Sequence, residues 1–299
     1  TDVFNVGVGH GAGEGITTGF QNALIGALAG DALTDADRNT AVGYAALSTD
    51  TLGNGSVAIG GFALFTQNFG TAATSFNTSV GFQSGEFVTT GQSNAFLGYN
   101  AGQYNSTGYA NTFMGSGAGT SITGARITGN NNTAIGAGAG SVLQGAASNN
   151  TCIGALAGDS ITTGSSNIMI GEQSEISASD GVNQICIGID INAGGNNNFS
   201  FGKASNVVTN DFDADANWSR SSDERLKKNI TNQSLGLDFI NDLRTVKYNW
   251  KASNELDSTD AQLAHLYKED AADNEMNTDV VMHNFIAQEV KAALDTAGV

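Results

Sequence analysis

Asn132-Thr-Ala-Ile-Gly136 and, one copy later, Asn150-Thr-Cys-Ile-Gly154 decide how this chain is read. The frame Asn-x-x-(apolar)-Gly-x-x-(Ala/Ser) also occurs at Asn22-Ala-Leu-Ile-Gly26, Asn39-Thr-Ala-Val-Gly43 and Asn94-Ala-Phe-Leu-Gly98. Followed in both directions it has twelve anchoring glycines: Gly9, Gly26, Gly43, Gly60, Gly81, Gly98, Gly115, Gly136, Gly154, Gly171, Gly188 and Gly202. Their spacings are 17, 17, 17, 21, 17, 17, 21, 18, 17, 17 and 14. Asn precedes the glycine by four residues in ten copies, including Asn77, Asn111 and Asn167; Ser56 and Gln184 replace it in the other two. The residue just before the glycine is apolar in every copy, from Val8 to Phe201.

Such short apolar segments cannot bury a face alone, but copies stacked along an axis hydrogen-bond to one another and share one core. A glycine fixed in every copy marks a corner where positive φ or close backbone approach excludes a Cβ. Ala or Ser three residues later marks a crowded second corner. The recurrent Asn is expected to stack into a ladder of side-chain amides. Further glycines ten residues after the anchor (Gly19, Gly53, Gly70, Gly91, Gly108, Gly164 and Gly181) mark a far turn, and the 21-residue copies carry extra residues there as surface loops. A period near 17 is too short for the common helical repeats, so the expected fold is mainly β, a β-solenoid or β-roll. At about 4.8 Å per turn, twelve turns make a rod of roughly 55–60 Å. The narrow coil leaves an apolar flank uncovered, and three coils side by side would cover it, so a homotrimer is expected.

Composition agrees. The 299 residues include 40 glycines and no proline, against roughly 20 and 15 at average usage. The absence of a Gly-X-Y period excludes collagen. Charged residues are only 14%, which argues against a charge-driven disordered chain. Net charge is −17, an acidic surface that makes nucleic acid and anionic membranes poor partners. No apolar run of about 18 residues offers a membrane-spanning helix, and no basic-plus-apolar leader follows Thr1. Residues 1–202 contain two cations, Arg38 and Arg126, against 12 acids, and only Gly236 and Gly298 lie beyond Gly202. The division expected from this shift is a repeat shaft at 1–202, a linker at 203–221 and a second domain at 222–299.

The repeat resembles the head domains of trimeric bacterial adhesins of the YadA type, most closely in Asn54-Gly-Ser-Val-Ala-Ile-Gly60, although that family has shorter repeats. It is also similar to the Gly/Asn-rich shafts of phage tail fibres. The second domain carries three segments in order: Ser221-Ser-Asp-Glu-Arg-Leu-Lys-Lys-Asn-Ile230, Leu237-Asp-Phe-Ile-Asn-Asp-Leu-Arg-Thr-Val-Lys-Tyr-Asn-Trp250 and His283-Asn-Phe-Ile-Ala-Gln-Glu-Val290. Together they resemble the C-terminal intramolecular chaperone, or auto-processing, domain of endosialidase-type phage tailspikes and tail fibres. Members often continue into a longer helical end, so the domain reads as truncated after Glu289.

The resemblance implies a small α+β domain that trimerises, assists folding of an upstream β-stalk and is often released by self-cleavage. Ser222 then matches the nucleophile and Lys227 its general base, with Asp223, Arg225 and Asn229 at motif positions that shape the turn and His283 and Gln288 as candidate helpers. A lysine desolvated by assembly can lose its proton and accept one from serine. Attack by Ser222 on the Ser221 carbonyl closes a five-membered ring, which favours cleavage at Ser221–Ser222, within one residue. Without the resemblance, the same residues read as a helix start capped by Ser222 or Asp223.

Other motifs are weaker. Asp211, Asp213, Asp215 and Asn217 alternate like a calcium loop but lack its glycine and closing glutamate, so they read as a solvated linker. Cys152 and Cys186 share a repeat position two copies apart, about 10 Å in a stack, and read as buried free thiols. Three histidines have no metal-ligand spacing, and the glycine-rich segments lack the Lys-Ser/Thr of a phosphate loop; no cofactor or metal is expected. Tyr44, Phe62, Phe82, Tyr99, Tyr104 and Tyr109 read either as a sugar-binding face or as packing within the shaft or between subunits. The shaft has no repeated pair of acids for glycan cleavage. The expectation is a structural virion protein, a tail-fibre shaft attaching to a host-surface glycan or protein receptor and joined to other tail proteins. The alternative is a bacterial cell-surface adhesin. Its enzymology is at most one turnover against its own chain.

Overall fold

The computed structural model describes residues 4–122, 124–213, 235–259, 267–270, 278–279 and 281–296. It comprises two compact units, Thr1–Arg220 and Ser221–Val299.

The first unit is a β-solenoid of about 12 turns with a period of ~17 residues. Each copy contributes one short strand, such as Ala23–Ile25, Thr40–Val42 or Thr133–Ile135, to a single 13-stranded sheet. Neighbouring copies pair in parallel without slippage: Ile25 opposes Val42, Leu97 opposes Met114 and Ile135 opposes Ile153. This register puts the residue before every anchor glycine in one outward column. The middle residue of each strand points inward, giving the buried series Leu24, Ala41, Ala58, Ser79, Phe96, Phe113, Ala134, Cys152, Met169 and Cys186. The alanines three residues after the anchors (Ala29, Ala46, Ala63, Ala101, Ala118, Ala139 and Ala157) are fully buried at the second corner.

The glycine requirement is steric as well as conformational. Gly98 has φ +137°, and a Cβ built there would lie 2.6 Å from the Gly115 carbonyl oxygen of the next coil. The same clash recurs where the copies differ most from the frame. A Cβ on Gly81 (φ +142°) would meet the Gly98 carbonyl just past the first long copy. On Gly171 (φ +119°) it would meet the Gly188 carbonyl, and on Gly188 (φ +157°) the Gly202 carbonyl, at the end where Gln184 has replaced the ladder Asn. The corner thus demands glycine even where the Asn position does not keep its residue. The far turn is as crowded where Gly91 faces the Gly108 carbonyl. Within the two 21-residue copies, Gly70 and Gly124 have open space around them, so the extra residues bulge outward at the far turn. Strand register is preserved across both insertions, with Val57 opposite Thr78 and Thr112 opposite Thr133.

The seam beyond residue 202 begins as structure. After Lys203 the chain turns through Ala204 at φ +49°, and Asn206–Asp211 runs back antiparallel along Asn198–Lys203. The first part of the segment read as a linker is therefore the last strand of the sheet. This reversal ends the parallel stack.

The second unit is a small α+β arrangement. Helix Leu237–Asp242 leads into strand Thr245–Tyr248, which pairs antiparallel with Met282–Phe285, and helix Ala287–Thr296 follows.

Candidate functional site

The Asn column forms a ladder that uses the main chain as well as the side chains. Asn150 Oδ1 accepts the backbone N–H of Asn167 at 3.1 Å and the Asn167 Nδ2 at 3.0 Å. Asn150 Nδ2 donates to the Gly164 carbonyl at 2.9 Å, tying the strand to the far turn of its own coil. The pattern repeats along the shaft: Asn39, Asn94, Asn111, Asn132 and Asn167 each donate from their backbone N–H to the ladder Asn one coil earlier. At Gln184 the longer side chain reaches instead to Ser177 Oγ and Asn196 Oδ1, both at 2.9 Å. A second polar column, not anticipated from the sequence, runs in the opposite sense. Asp37, Asn54, Asn130, Ser148, Ser165 and Asn196 each accept a backbone N–H from the preceding coil. The available signal was the recurrence of Asp, Asn or Ser two residues before the ladder position.

At Ser56 the ladder loses its carboxamide, and a buried network replaces it. Gln67 Nε2 donates to Ser56 Oγ at 2.8 Å and to Asp50 Oδ2 at 2.6 Å, while Gln67 Oε1 accepts from Asn77 Nδ2 at 2.8 Å. Asp50 Oδ1 accepts the N–H groups of Gly53 and Phe69 at 3.0 and 3.2 Å. Asp50 and Gln67 occupy the position seven residues after the anchor, which holds the buried Leu33, Leu143 and Ile161 in other copies. Burial pushes the Asp50 carboxyl above the usual carboxylate range, against the opposing pull of these donors.

Cys152 and Cys186 are free and buried, separated by Met169 in the same column. Burial raises the Cys152 thiol to about 12 and the Cys186 thiol to about 11, so both are inert at neutral pH. Glu175 caps the turn of the preceding coil, accepting the backbone N–H groups of Asp159 and Ser160 at 2.8 and 3.1 Å. Its carboxyl is raised to about 7, first by burial and then by a hydrogen bond with the Asp159 carboxyl.

Three surface features stand out on the solenoid. The outward column beside the anchor glycines is apolar throughout, with Val8, Ile25, Ile59, Leu97, Met114, Ile135, Ile153, Ile187 and Phe201 exposed. Past that corner, rings from consecutive coils meet: Tyr44–Phe62 at 5.3 Å, Phe62–Phe82 at 6.0 Å and Phe82–Tyr99 at 6.2 Å between centroids. Tyr104 lies elsewhere, stacked on Phe87 at 4.9 Å, and Tyr109 stands next to the far turn with its N–H held by Asn130. Arg38 and Arg126 both stack on rings, Arg38 over Phe20 and Arg126 over Phe87, each at 5.1 Å.

Ser222, Lys227, Asp223, Arg225, Asn229 and the Ser221–Ser222 bond lie outside the described residues. His283 is described; it is exposed on its strand opposite Lys247 and lines a groove of ≈ 520 Å³ with Thr245 and Asn284. Gln288 lies in a second groove of ≈ 590 Å³ with Arg244, Tyr248, Trp250 and Phe285, so the two proposed helpers face different grooves. Glu289, the last charged residue of the matching motif, receives both Nε and Nη2 of Arg244, which holds its carboxyl below the usual range. Sequence reading did not pair these residues, which are 45 positions apart. Of the four alternating residues in this segment, Asp211 and Asp213 are engaged within the shaft, where Asp213 Oδ2 accepts Asn197 Nδ2 at 2.6 Å and Asp211 Oδ1 accepts the Asp213 N–H at 2.9 Å; Asp215 and Asn217 lie outside the described residues.

Residues 222–299 match a family model described as chaperone of endosialidase. No curated protein and no solved structure matches the chain. The match covers the C-terminal segment alone and leaves the repeat shaft outside it. The molecule is thus a β-solenoid of about 12 turns followed at residues 222–299 by a chaperone-of-endosialidase domain.

Proposed function

We propose that the chain is a phage tail-fibre protein: a homotrimeric shaft, folded and registered by its C-terminal chaperone domain, that carries the virion to the host surface. The observation that carries this reading is the chaperone-of-endosialidase match directly after a repetitive β-shaft. The continuous apolar column from Val8 to Phe201 supports the trimer, because a flank of that length left in water favours association. Exposed Leu237, Ile240, Trp250 and Phe285 in the C-terminal unit argue the same way. Three long coils reach their register more readily if a terminal domain brings the chains together first, which lowers the loop-closure entropy of later pairing.

In the cleavage step, Lys227 takes the hydroxyl proton of Ser222, whose oxygen attacks the Ser221 carbonyl. The amine of Ser222 leaves with a proton, and water then hydrolyses the resulting ester. The reaction occurs once per chain. The test is the intact mass and the oligomeric mass of freshly expressed full chain beside Ser222→Ala and Lys227→Ala. The expected result is a trimer whose wild type alone yields fragments ending near residue 221. An uncut trimer would confine Ser222 to a structural role, and an uncut monomer would sink the fibre reading.

A further inference from the structure

We infer that the corner carrying Tyr44, Phe62, Phe82 and Tyr99 is a binding platform for a neutral glycan chain lying along the solenoid axis. The inference deepens the attachment role proposed above and rests on it.

Confinement distinguishes this patch from the shaft's general architecture. The apolar column beside the anchor glycines runs through all twelve copies, as packing along the whole shaft requires. The rings occupy only four consecutive copies. None of the other eight copies has an aromatic ring of Phe, Tyr or Trp just after the anchor: four hold the small residues Ala27, Ser116, Ala137 and Ala155, and the rest hold His10, Glu172, Ile189 and Lys203. The coil therefore needs no ring at this corner, and the four are surplus to folding.

Their geometry leaves faces open. Phe82 and Tyr99 are nearly parallel, 9° apart, with centroids 6.2 Å apart. Rings in full face-to-face contact would lie about 3.5–4 Å apart, so these two are offset and each keeps much of a face uncovered. Tyr44, Phe82 and Tyr99 remain 54%, 48% and 55% exposed. Successive centroids lie 5.3, 6.0 and 6.2 Å apart, with Phe62 edge-on to Tyr44 and Phe82, so the exposed Tyr44, Phe82 and Tyr99 form a row along the axis that an extended saccharide can follow. C–H bonds of a sugar face stack on such rings, and hydroxyls need donors and acceptors at the rim. Gln83 follows Phe82 directly and brings a carboxamide to the rim.

Charge selects the ligand class. Residues 39–115, which build these coils, contain no Lys, Arg or His and only two acids, Asp50 and Glu86, both buried. In a chain of net charge −17 this is an uncharged window. An anionic polysaccharide or nucleic acid would find no cation there and would meet an acidic field around it. A neutral saccharide meets neither penalty.

The experiment uses the full chain, with maltohexaose, cellohexaose and chitohexaose titrated separately and followed by saturation-transfer NMR. Tyr44→Ala, Tyr99→Ser and their combination place at the corner residues that other copies already hold, so they preserve the coil. Gln92→Ala, exposed near the far turn and outside both the rings and the apolar column, serves as the control. The expected result is binding of at least one hexasaccharide, weakened about tenfold by each ring deletion and unchanged in the control. Oligomeric mass is measured in parallel. If the ring variants dissociate the oligomer, the corner is a subunit interface and the inference fails. It also fails if wild type binds none of the three or if ring deletion leaves binding unchanged. A correctly assembled fibre that binds no saccharide would overturn the platform alone, whereas a monomer would overturn the fibre reading whatever it binds.

Discussion

The shaft and the C-terminal unit solve burial in opposite ways. In the shaft, Phe96, Phe113, Leu33, Leu143 and Met169 are fully enclosed by a single chain. In the C-terminal unit, no described residue of helix Ala287–Thr296 is buried, and Leu237, Ile240, Trp250 and Phe285 are open to solvent. The difference follows from repetition. A coil that cannot enclose its own residues is covered above and below by copies of itself, so the core closes without a partner along the axis. The hairpin of Thr245–Tyr248 and Met282–Phe285 has no such neighbour in sequence, and a two-stranded ribbon is marginal by itself. The first region is stabilised by its own periodicity, whereas the described residues of the second leave much of their apolar surface open.

Substitutions at the stacking positions should affect the shaft most. Gly98→Ala puts a Cβ 2.6 Å from the Gly115 carbonyl oxygen at φ +137°, and is expected to cost about 4 kcal/mol or to prevent folding. Chemical denaturation monitored by circular dichroism would measure it; a loss under about 1 kcal/mol would mean that the coils separate easily and are not locked by their corners. Asn150→Ala strips acceptors from Asn167 and a donor from Gly164, with an expected cost of about 3 kcal/mol. A neutral outcome would show that the ladder decorates the shaft without holding it.

Asp50→Asn is expected to cost about 2 kcal/mol, because the partners of the carboxyl are all donors and an amide must turn its NH2 toward one of them. Asp50→Leu restores the apolar residue found in other copies but leaves one N–H of Gln67 and the N–H groups of Gly53 and Phe69 without their acceptor, so it should be no better. If Asp50→Asn were fully stable, the network would not need an acceptor at both oxygens.

The two regions should also differ in the sign of their pH response. Glu175 titrates at about 7 in the folded shaft because burial penalises its charge, above the unfolded value of 4.5. Its contribution is therefore complete below the unfolded value and is lost as pH rises through about 7. Glu289 in the C-terminal unit is lowered by its hydrogen bonds with Arg244, so its contribution is present above the ordinary carboxylate range and is lost on acidification. The melting temperature of the shaft should fall between about pH 5 and about pH 8, and Glu175→Gln should flatten that slope. Glu289→Gln should shift the C-terminal unit least of all, since the pair is exposed and screened by salt. A shaft more stable at the alkaline end of that range than at the acid end would reverse the assignment for Glu175.

Much of this architecture was legible in the residues. The 17-residue spacing, the glycine in every copy and the recurrent Asn specify a stacked coil, because a fixed period forces identical residues into columns. The C-terminal motifs were legible for another reason: three separated segments in order carry family information that no single helix or strand would. The chemistry proposed for Ser222 and Lys227 came from that resemblance alone, as those residues lie outside the described structure.

Other features waited for the third dimension. Left-handed backbone at Leu28, Ala45, Phe62 and Leu156 is not signalled by residue type, because L-residues seldom adopt it; the neighbouring coils hold the conformation in place. The joining of Asp50, Gln67, Ser56 and Asn77 depends on which side chains turn inward in adjacent coils. The reversal at Asn206–Asp211 has no periodic signature, since a cap departs from the repeat that it ends. Periodicity in the sequence determined which residues would share a column. Only stacking decided which columns would touch, because contacts between coils join atoms remote along the chain, and insertions such as those after Gln67 and Gly119 shift the count while the strands keep their register.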